Sequence, residues 1–569
     1  MSGKYEEYYN ARNPIPSKYL LWPLYGAGFE NMGKDGKPIE VENIEIGPDE
    51  LLIRHDACGL CFSDIKVITQ GQNHPRIVKD MKEYPVTLGH EAALTVVKVG
   101  ANLGDQYKVG DRFIIQADIF HGGVSTAYGY VIQGGLSQYN ILDHRVLKTD
   151  AGSNIIPIQP ETGYAEGALV EPWACAVAAY RLEYRTSLKN GGTTWIIGAG
   201  ENKPYTISQG FDNKSHPARL MLTDVPASFA AWLKESAKKL GVEVIEVNDF
   251  SSIAKESIDD IILLGANVDL IEKASPYLTQ FGMMAIIADK PLARKASIDV
   301  GRIHYMRWGY VGGSDPDISH SYNKPAIRSA IKPGGTAWFV GAGGPIGRMH
   351  VQRAIQFADG PATIVATDVS NARLDDLYQS YKAEAEEKKI EFICLNPNDK
   401  EVYAAGMARF FKRGFDDVVV LAPIAPVIAD AAMHLAPEGV MNVFAGVGKG
   451  TMVDLDVSDV YLKTARYIGH SGSTMDDFVM TLEKTESKEL SPNRALAAIG
   501  SIHAAREGLQ KVKEQVFPGK VVIYLNIKEM PLTSLPELKE KMPTVYAKMK
   551  DGREWTVEAE KEFLNLMLP

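Results

Sequence analysis

The strongest constraint on the fold is that part of the chain occurs twice. KNGGTTWIIGAG at 189–200 returns as KPGGTAWFVGAG at 332–343, with eight of twelve positions identical at an offset of 143. LTDV at 222–225 resembles ATDV at 366–369. Three further pairs begin at 257 and 414 (SIDDIILLGA, GFDDVVVLAP), at 281 and 438 (FGMMAIIAD, EGVMNVFAG), and at 310 and 467 (YVGGS, YIGHS). These three share one offset, 157, with no gap between them. Unrelated strands do not keep register over such a stretch, so a duplicated structural unit is expected.

Each copy reads as a nucleotide-binding α/β unit. A short apolar strand ends in a glycine turn, a helical segment follows, and a second strand ends in Asp224 or Asp368. Continuous apolar runs such as IILLGA and VVVLAP suit a parallel sheet covered on both faces. The glycine turn separates the two copies. In the second it reads GAGGPIGRMHVQRAI, so Gly341, Gly343, Gly344, Pro345, Ile346 and Gly347 are candidates to hold a pyrophosphate at a helix N-terminus. The spacing is slightly off a strict G-x-G-x-x-G, because Ala342 stands where the first glycine would fall. Asp368, 21 residues past Gly347, stands where a carboxylate takes the ribose hydroxyls of NAD; NADP is not excluded. In the first copy Glu201 replaces Gly344 and Pro204 replaces Gly347. A carboxylate there would repel a pyrophosphate, so the first copy is expected to keep the fold without the cofactor.

The chain is long enough, at 569 residues, for three or four domains, and its composition is that of a folded globular protein. A net charge of −10 argues against a nucleic-acid binder. Four cysteines do not make a disulfide scaffold and fit a reducing compartment. The polar start MSGKYEEYYNARNPIP lacks the apolar core of a secretory signal. The most apolar stretch, 418–436, holds two prolines, Asp430 and His434, and reads as a buried strand entering a helix rather than a membrane span. A soluble cytoplasmic protein is expected.

The chemistry lies upstream of the repeats. In GLCFSD and LGHEAA, Cys61, His90 and Glu91 are candidate ligands for one zinc, which favours thiolate, imidazole and carboxylate and keeps an open position when catalytic. GALVEPWACA supplies a further carboxylate, Glu171. Each has a plain alternative: a buried thiol, a hydrogen-bonded core histidine, surface carboxylates. Cys58 and Cys61 also form a C-x-x-C, but no redox context surrounds it.

GLCFSD, LGHEAA, VGDRF, GGLSQY and LVEPWACA, in this order and ahead of a nucleotide-binding unit, resemble the medium-chain zinc-dependent dehydrogenases. LVEP, where many relatives place a cysteine, resembles the polyol branch typified by sorbitol dehydrogenase, and KVITQGQNH, EGALVEP and SGSTMDD are similar to the L-sorbose-1-phosphate reductase group. The resemblance covers about 50–190 and 332–475, and more loosely PGKVVIYL at 518–525. It implies an α/β protein with a GroES-like, β-rich catalytic domain over 1–188, completed by about 475–527. A degenerate Rossmann-like repeat over 189–331, an NAD-binding Rossmann domain over 332–474 and a helical extension over 528–569 complete the expected layout.

The same resemblance implies that Cys61 and His90 bind the catalytic zinc, with Glu91 and Glu171 sharing the remaining carboxylate role, one as ligand and one near the bound water. It also implies that Ser63 takes the substrate's hydroxyl proton, with hydride passing to or from the nicotinamide. The activity implied is a zinc- and NAD-dependent dehydrogenase of a polyol or ketose, free or as a sugar phosphate such as a ketose 1-phosphate. A zinc-independent reductase of the same superfamily and a non-catalytic cofactor sensor are the alternatives.

Three features depart from that pattern. The cysteines 58, 61, 175 and 394 are too scattered for the four-cysteine structural zinc lobe of many relatives. Lys66 stands where related alcohol dehydrogenases often carry a relay histidine, and reads as a relay, an anion contact or a solvated lysine. The first repeat is an insertion. Lys66, Asn73, His74 and Arg76 also gather in one polar loop, a candidate anion site for a phosphorylated substrate or simply a loop. Two helical patterns in the tail read as a docked extension or an oligomer contact, and a homo-oligomer is expected.

Overall fold

A run of nine buried residues, Leu51–Gly59, forms strand β1. In this computed structural model, which describes residues 3–43, 45–322 and 328–569, β1 is the spine of the catalytic half. Helix α1 (Phe62–Gln70) follows directly, then β2 (Glu91–Val99), β3 (Arg112–Ile115), β4 (Tyr139–Leu142) and β5 (Ile155–Pro157). Two short helices, α2 (Tyr164–Ala168) and α3 (Val170–Ala178), close this part.

The first repeat supplies β6 (Thr193–Gly198), β7 (Arg219–Thr223), β8 (Glu243–Glu246), β9 (Ile258–Leu264), β10 (Leu278–Ile287), β11 (Ala296–Asp299), helix α4 (Val300–Met306) and β12 (Gly309–Gly313). The second supplies β13 (Thr336–Val340), helix α5 (Pro345–Gln356), β14 (Thr363–Thr367), β15 (Glu391–Leu395), β16 (Phe415–Val420), β17 (Leu435–Val443), β18 (Met452–Leu455), helix α6 (Ser458–Leu462) and β19 (Arg466–Gly469). The chain then returns to the catalytic half with β20 (Leu496–Ser501), β21 (Lys520–Tyr524), β22 (Thr533–Ser534) and helix α7 (Val557–Met567).

Two compact units result: residues 1–177, 344–349 and 472–569 in one, 178–343 and 350–471 in the other. The first is built on an eight-stranded sheet in the order β5-β3-β2-β1-β21-β20-β22, with β4 also on β1. The antiparallel pairing of β21 with β1 brings Tyr524 opposite Ala57 and Val522 opposite Gly59. The tail belongs to this unit's interior: Trp555, Phe563 and Leu564 share a core with Tyr164, Trp173 and Tyr524. Glu560 of α7, 2% exposed, accepts from Tyr164 N (2.7 Å), Ala165 N (2.8 Å) and Tyr524 Oη (2.7 Å). A carboxylate at orphan amides of a helix start satisfies them and the helix dipole together.

The second unit holds two six-stranded parallel sheets, β8-β7-β6-β9-β10-β12 and β15-β14-β13-β16-β17-β19. Both have the doubly wound order 3-2-1-4-5-6. The duplication extends to side chains. Trp195 donates to Thr223 (2.9 Å) as Trp338 does to Thr367 (3.0 Å), and Arg185 pairs with Asp260 as Arg328 does with Asp417.

The two copies face each other about a local two-fold. β11 and β18 pair antiparallel, with Ala296 opposite Leu455, Ser297 opposite Asp454 and Ile298 opposite Val453. At the offset of 157, Ser297 and Asp454 are counterparts, so an axis passes through their pair. Across it, α4 packs on β19 and α6 on β12, an exchange of equivalent elements. One apolar core, containing Trp195, Ile261 and Met284 with Trp338, Val418 and Met441, runs through both sheets.

Candidate metal centre and cofactor turn

The metal candidate is assembled where β1 runs into α1. Cys61 is the N-cap residue of α1, with extended backbone, and its Sγ accepts from Ser63 N at 3.5 Å. Asp64, at the third helical position, returns the contact by accepting from Cys61 N at 3.0 Å. This reciprocal cap holds the thiol at the helix mouth. The other Asp64 oxygen accepts from His90 Nδ1 at 3.2 Å. That bond puts the imidazole proton on Nδ1 and leaves Nε2 as a lone-pair donor, as in carboxylate–histidine–metal triads.

Glu91 opens β2 and is fully buried. It lies against Gly59, where a Cβ would come within 2.1 Å of its Oε2. Lys520, at the start of β21, donates to Glu91 Oε1 at 2.5 Å and to Leu60 O at 2.8 Å. Glu91 Oε2 has no hydrogen-bond partner among the described residues. Ligand atoms of Cys61, His90 and Glu91 all lie within 4.8 Å of one another. Thiol, imidazole and a buried carboxylate oxygen with no partner make a donor set suited to zinc. Burial pushes the His90 imidazole down, yet Tyr130, Asp64 and Cys61 together hold it well above its usual range. A field that favours a proton there also favours a divalent cation.

Glu171, second residue of α3, is half-buried and outside that trio of ligand atoms. Burial raises its carboxyl to about 7, His90 opposes this, and Glu91 adds to it. Cys175, one turn along α3, meets Ser473 Oγ at 3.8 Å. Cys58 is fully buried in the core, so the C-x-x-C pair divides into a core residue and a candidate ligand.

Beyond His90 lies a basic group. The Tyr130 ring is 5.9 Å from His90 and 5.6 Å from His74, and the Arg76 guanidinium sits 4.9 Å from its centre. Arg76 also pairs with Asp118 at 2.7 Å. Burial, Arg76 and Lys66 all lower the His74 pKa, so a neutral imidazole and two cations share one neighbourhood. Asn73 is exposed. Sequence reasoning missed Asp64, Tyr130 and Lys520 as contributors. Asp64 stood in the quoted motif GLCFSD, whereas Lys520 lies 429 residues from Glu91 and carries no local signal.

The second repeat's turn runs from β13 through Gly341, at φ +84°, into α5 with Pro345 as its first residue. A Cβ on Gly343 would sit 2.9 Å from Asp368 Oδ2, whereas one on Gly344 would meet nothing within 4 Å. Open space at Gly344, at a helix start, fits a ligand's pyrophosphate. Gly347 is buried within α5 and Ile346 half-buried. Asp368 accepts from Gly343 N (3.1 Å), Ser370 N (3.0 Å) and Arg373 Nη2 (2.8 Å). In the first repeat no helix follows the turn anywhere in 201–218. Glu201 is tied instead to Lys203 at 3.1 Å, which also holds Asp289 at 3.0 Å. The helix N-terminus found behind the second repeat's turn is missing there.

The model of the alcohol dehydrogenase GroES-like domain matches residues 47–151. The mannitol-1-phosphate 5-dehydrogenase of Aliivibrio fischeri is 28% identical over 320 residues, covering 50% of this chain and 74% of its own. The L-sorbose 1-phosphate reductase of Klebsiella pneumoniae is 20% identical over 519 residues, covering 91% of each. Among solved structures, 2R,3R-butanediol dehydrogenase from Bacillus subtilis shares the fold with a TM-score of 0.50 at 16% identity, covering 89% of this chain and 100% of its own.

Proposed function

Because the chain belongs to the medium-chain dehydrogenase/reductase superfamily, we propose that it transfers hydride between NAD(H) and a polyol or ketose, with one zinc on Cys61, His90 and Glu91. A phosphorylated substrate, such as a ketose 1-phosphate, is the preferred reading. The observation that carries the proposal is the convergence of those three ligand atoms around a buried, unpartnered Glu91 oxygen. Zinc supplies Lewis-acid polarisation of the substrate oxygen, and NAD(H) accepts or gives the hydride.

The chain's own residues do the rest. Asp64 fixes the His90 tautomer, and Lys520 pairs with the Glu91 carboxylate and holds it in its buried position. Ser63 Oγ, in the first turn of α1, takes the substrate hydroxyl's proton when an alcohol is oxidised. Glu171, with its carboxyl near 7, exchanges that proton at neutral pH. Gly341, Gly343, Gly344, Pro345, Ile346 and Gly347 form the pyrophosphate turn, and Asp368 takes the adenosine ribose hydroxyls. Lys66 and Arg76 beside the His74 ring suit a substrate phosphate better than a proton relay, because two cations with an imidazole donor favour an anion.

Metal analysis with a substrate screen tests this reading. About one zinc per chain is expected, lost together with activity in Cys61→Ser. NADH-linked activity should favour sugar-alcohol or ketose phosphates over the free sugars. Activity that survives both zinc removal and Cys61→Ser assigns the chain to the zinc-independent reductases. For the cofactor, Gly347→Glu should abolish NADH binding while Glu201→Gln leaves it intact; the reverse pattern overturns the assignment of the repeats.

A further inference from the structure

The first repeat keeps its sheet, lacks the helix behind its glycine turn, and has no part in the chemistry proposed above. One of its contacts across the local two-fold has no equivalent on the other side. Arg307 ends α4 in the left-handed region, at φ 52°. Its guanidinium lies 5.5 Å from the Phe281 ring, and Nη2 donates to His470 Nδ1 at 3.2 Å. A guanidinium has no acceptor, so Nδ1 accepts and His470 is a neutral imidazole with its proton on Nε2.

His470 is 1% exposed and directly follows β19. In a doubly wound sheet the carboxyl ends of the strands face the ligand. The counterpart of Arg307 at the offset of 157 is Thr464, which shares its left-handed backbone at φ 56°. The counterpart of His470 is Gly313. Neither the donor nor the acceptor of this bond exists on the opposite side of the axis. The bond occurs only on the side whose cofactor turn and helix are intact.

We propose that the first repeat serves as an internal second subunit. It occupies, within one chain, the place a second copy would take across the two-fold, and it delivers Arg307 to His470 as a positioning contact for the coenzyme-binding sheet. Arg307 touches no reacting atom. It holds the end of β19 and the tautomer of His470, and so sets the shape of the surface on which the coenzyme lies. The Arg307 contact rests on the second repeat being the one that holds NAD(H); the two-fold pairing does not.

Two experiments on the full-length protein test this. Arg307→Ala should raise the KM for NADH by about tenfold, the scale of one charge-assisted hydrogen bond. Arg307→Lys should recover part of that loss, with zinc content and the KM for the polyol substrate unchanged in both. A loss of kcat or thermal stability with NADH KM within twofold of wild type overturns the positioning role. If wild type itself binds no NADH, the cofactor reading fails first, and that outcome is separately visible. In the second experiment, Ser297→Cys and Asp454→Cys are combined and oxidised with diamide. A crosslink within single chains is expected, with altered gel mobility and no covalent dimer. Covalent dimers, or no crosslink at all, overturn the internal-subunit assignment.

Discussion

Gly59 is the tightest point of the metal candidate, because its missing Cβ makes room for Glu91. Gly59→Ala should leave the fold in place, as read by far-UV circular dichroism, yet lower zinc affinity by at least tenfold, since outer contacts of this kind commonly carry 10–100-fold. Lys520→Met should be costlier, because it strands a buried carboxylate; a loss of about 3–5 kcal/mol in urea unfolding of the metal-free protein is expected, smaller when zinc is present. Glu171 gives the pH signature. Its folded carboxyl titrates near 7 against about 4.5 unfolded, so the folded state holds the proton more tightly. Its stabilising share is complete below 4.5 and is lost as pH rises through 7. The metal-free protein should therefore lose stability relative to Glu171→Gln across that window, by on the order of 2 kcal/mol after allowing for partial exposure. Cys61, His90 and Glu91 were legible in the sequence because each sits in a short local pattern. Lys520 was not, because only the pairing of β21 with β1 brings it there.

Among the elements, the tail helix α7 has the most consequence for its length. Its Glu560 caps α2, and α2 leads within two residues into α3, which carries Glu171. Glu560→Ala should cost about 2–4 kcal/mol in urea unfolding, because two backbone amides and the Tyr524 hydroxyl lose a buried partner. Glu560→Gln should cost less, since its amide oxygen still accepts. The helical spacing of the tail was readable from its apolar residues. That a carboxylate within it would cap a helix some 400 residues earlier was not, because nothing at residue 560 marks the helix start at Tyr164 as its partner. In the repeats the reverse held. Strand after strand was legible from the paired segments, while the missing helix in 201–218 was foreshadowed only by Glu201 and Pro204.

For the molecule as a whole, the shared core of the two repeats sets how they unfold. Trp195 and Trp338 belong to one apolar cluster that spans both sheets. Separate Trp195→Phe and Trp338→Phe variants should therefore report coincident midpoints for the two copies in denaturant, and no early transition confined to residues 189–331. The duplication itself was plain in the sequence, but the axis relating the copies was not. It became visible only through the register of β11 against β18, a pairing of two four-residue strands whose sequences carry no sign of each other.

That register also governs what mutation can do to this protein. In a dimer of identical chains, every substitution near the axis is made twice, and a change that helps one side is imposed on the other. Here the two faces are encoded by separate stretches of one gene. Residue 307 can be arginine while residue 464 stays threonine, and one glycine turn can decay while the other is kept. The pairing of Ser297 with Asp454 thus marks a place where selection acts on each half alone, so a formerly symmetric surface is free to divide its labour.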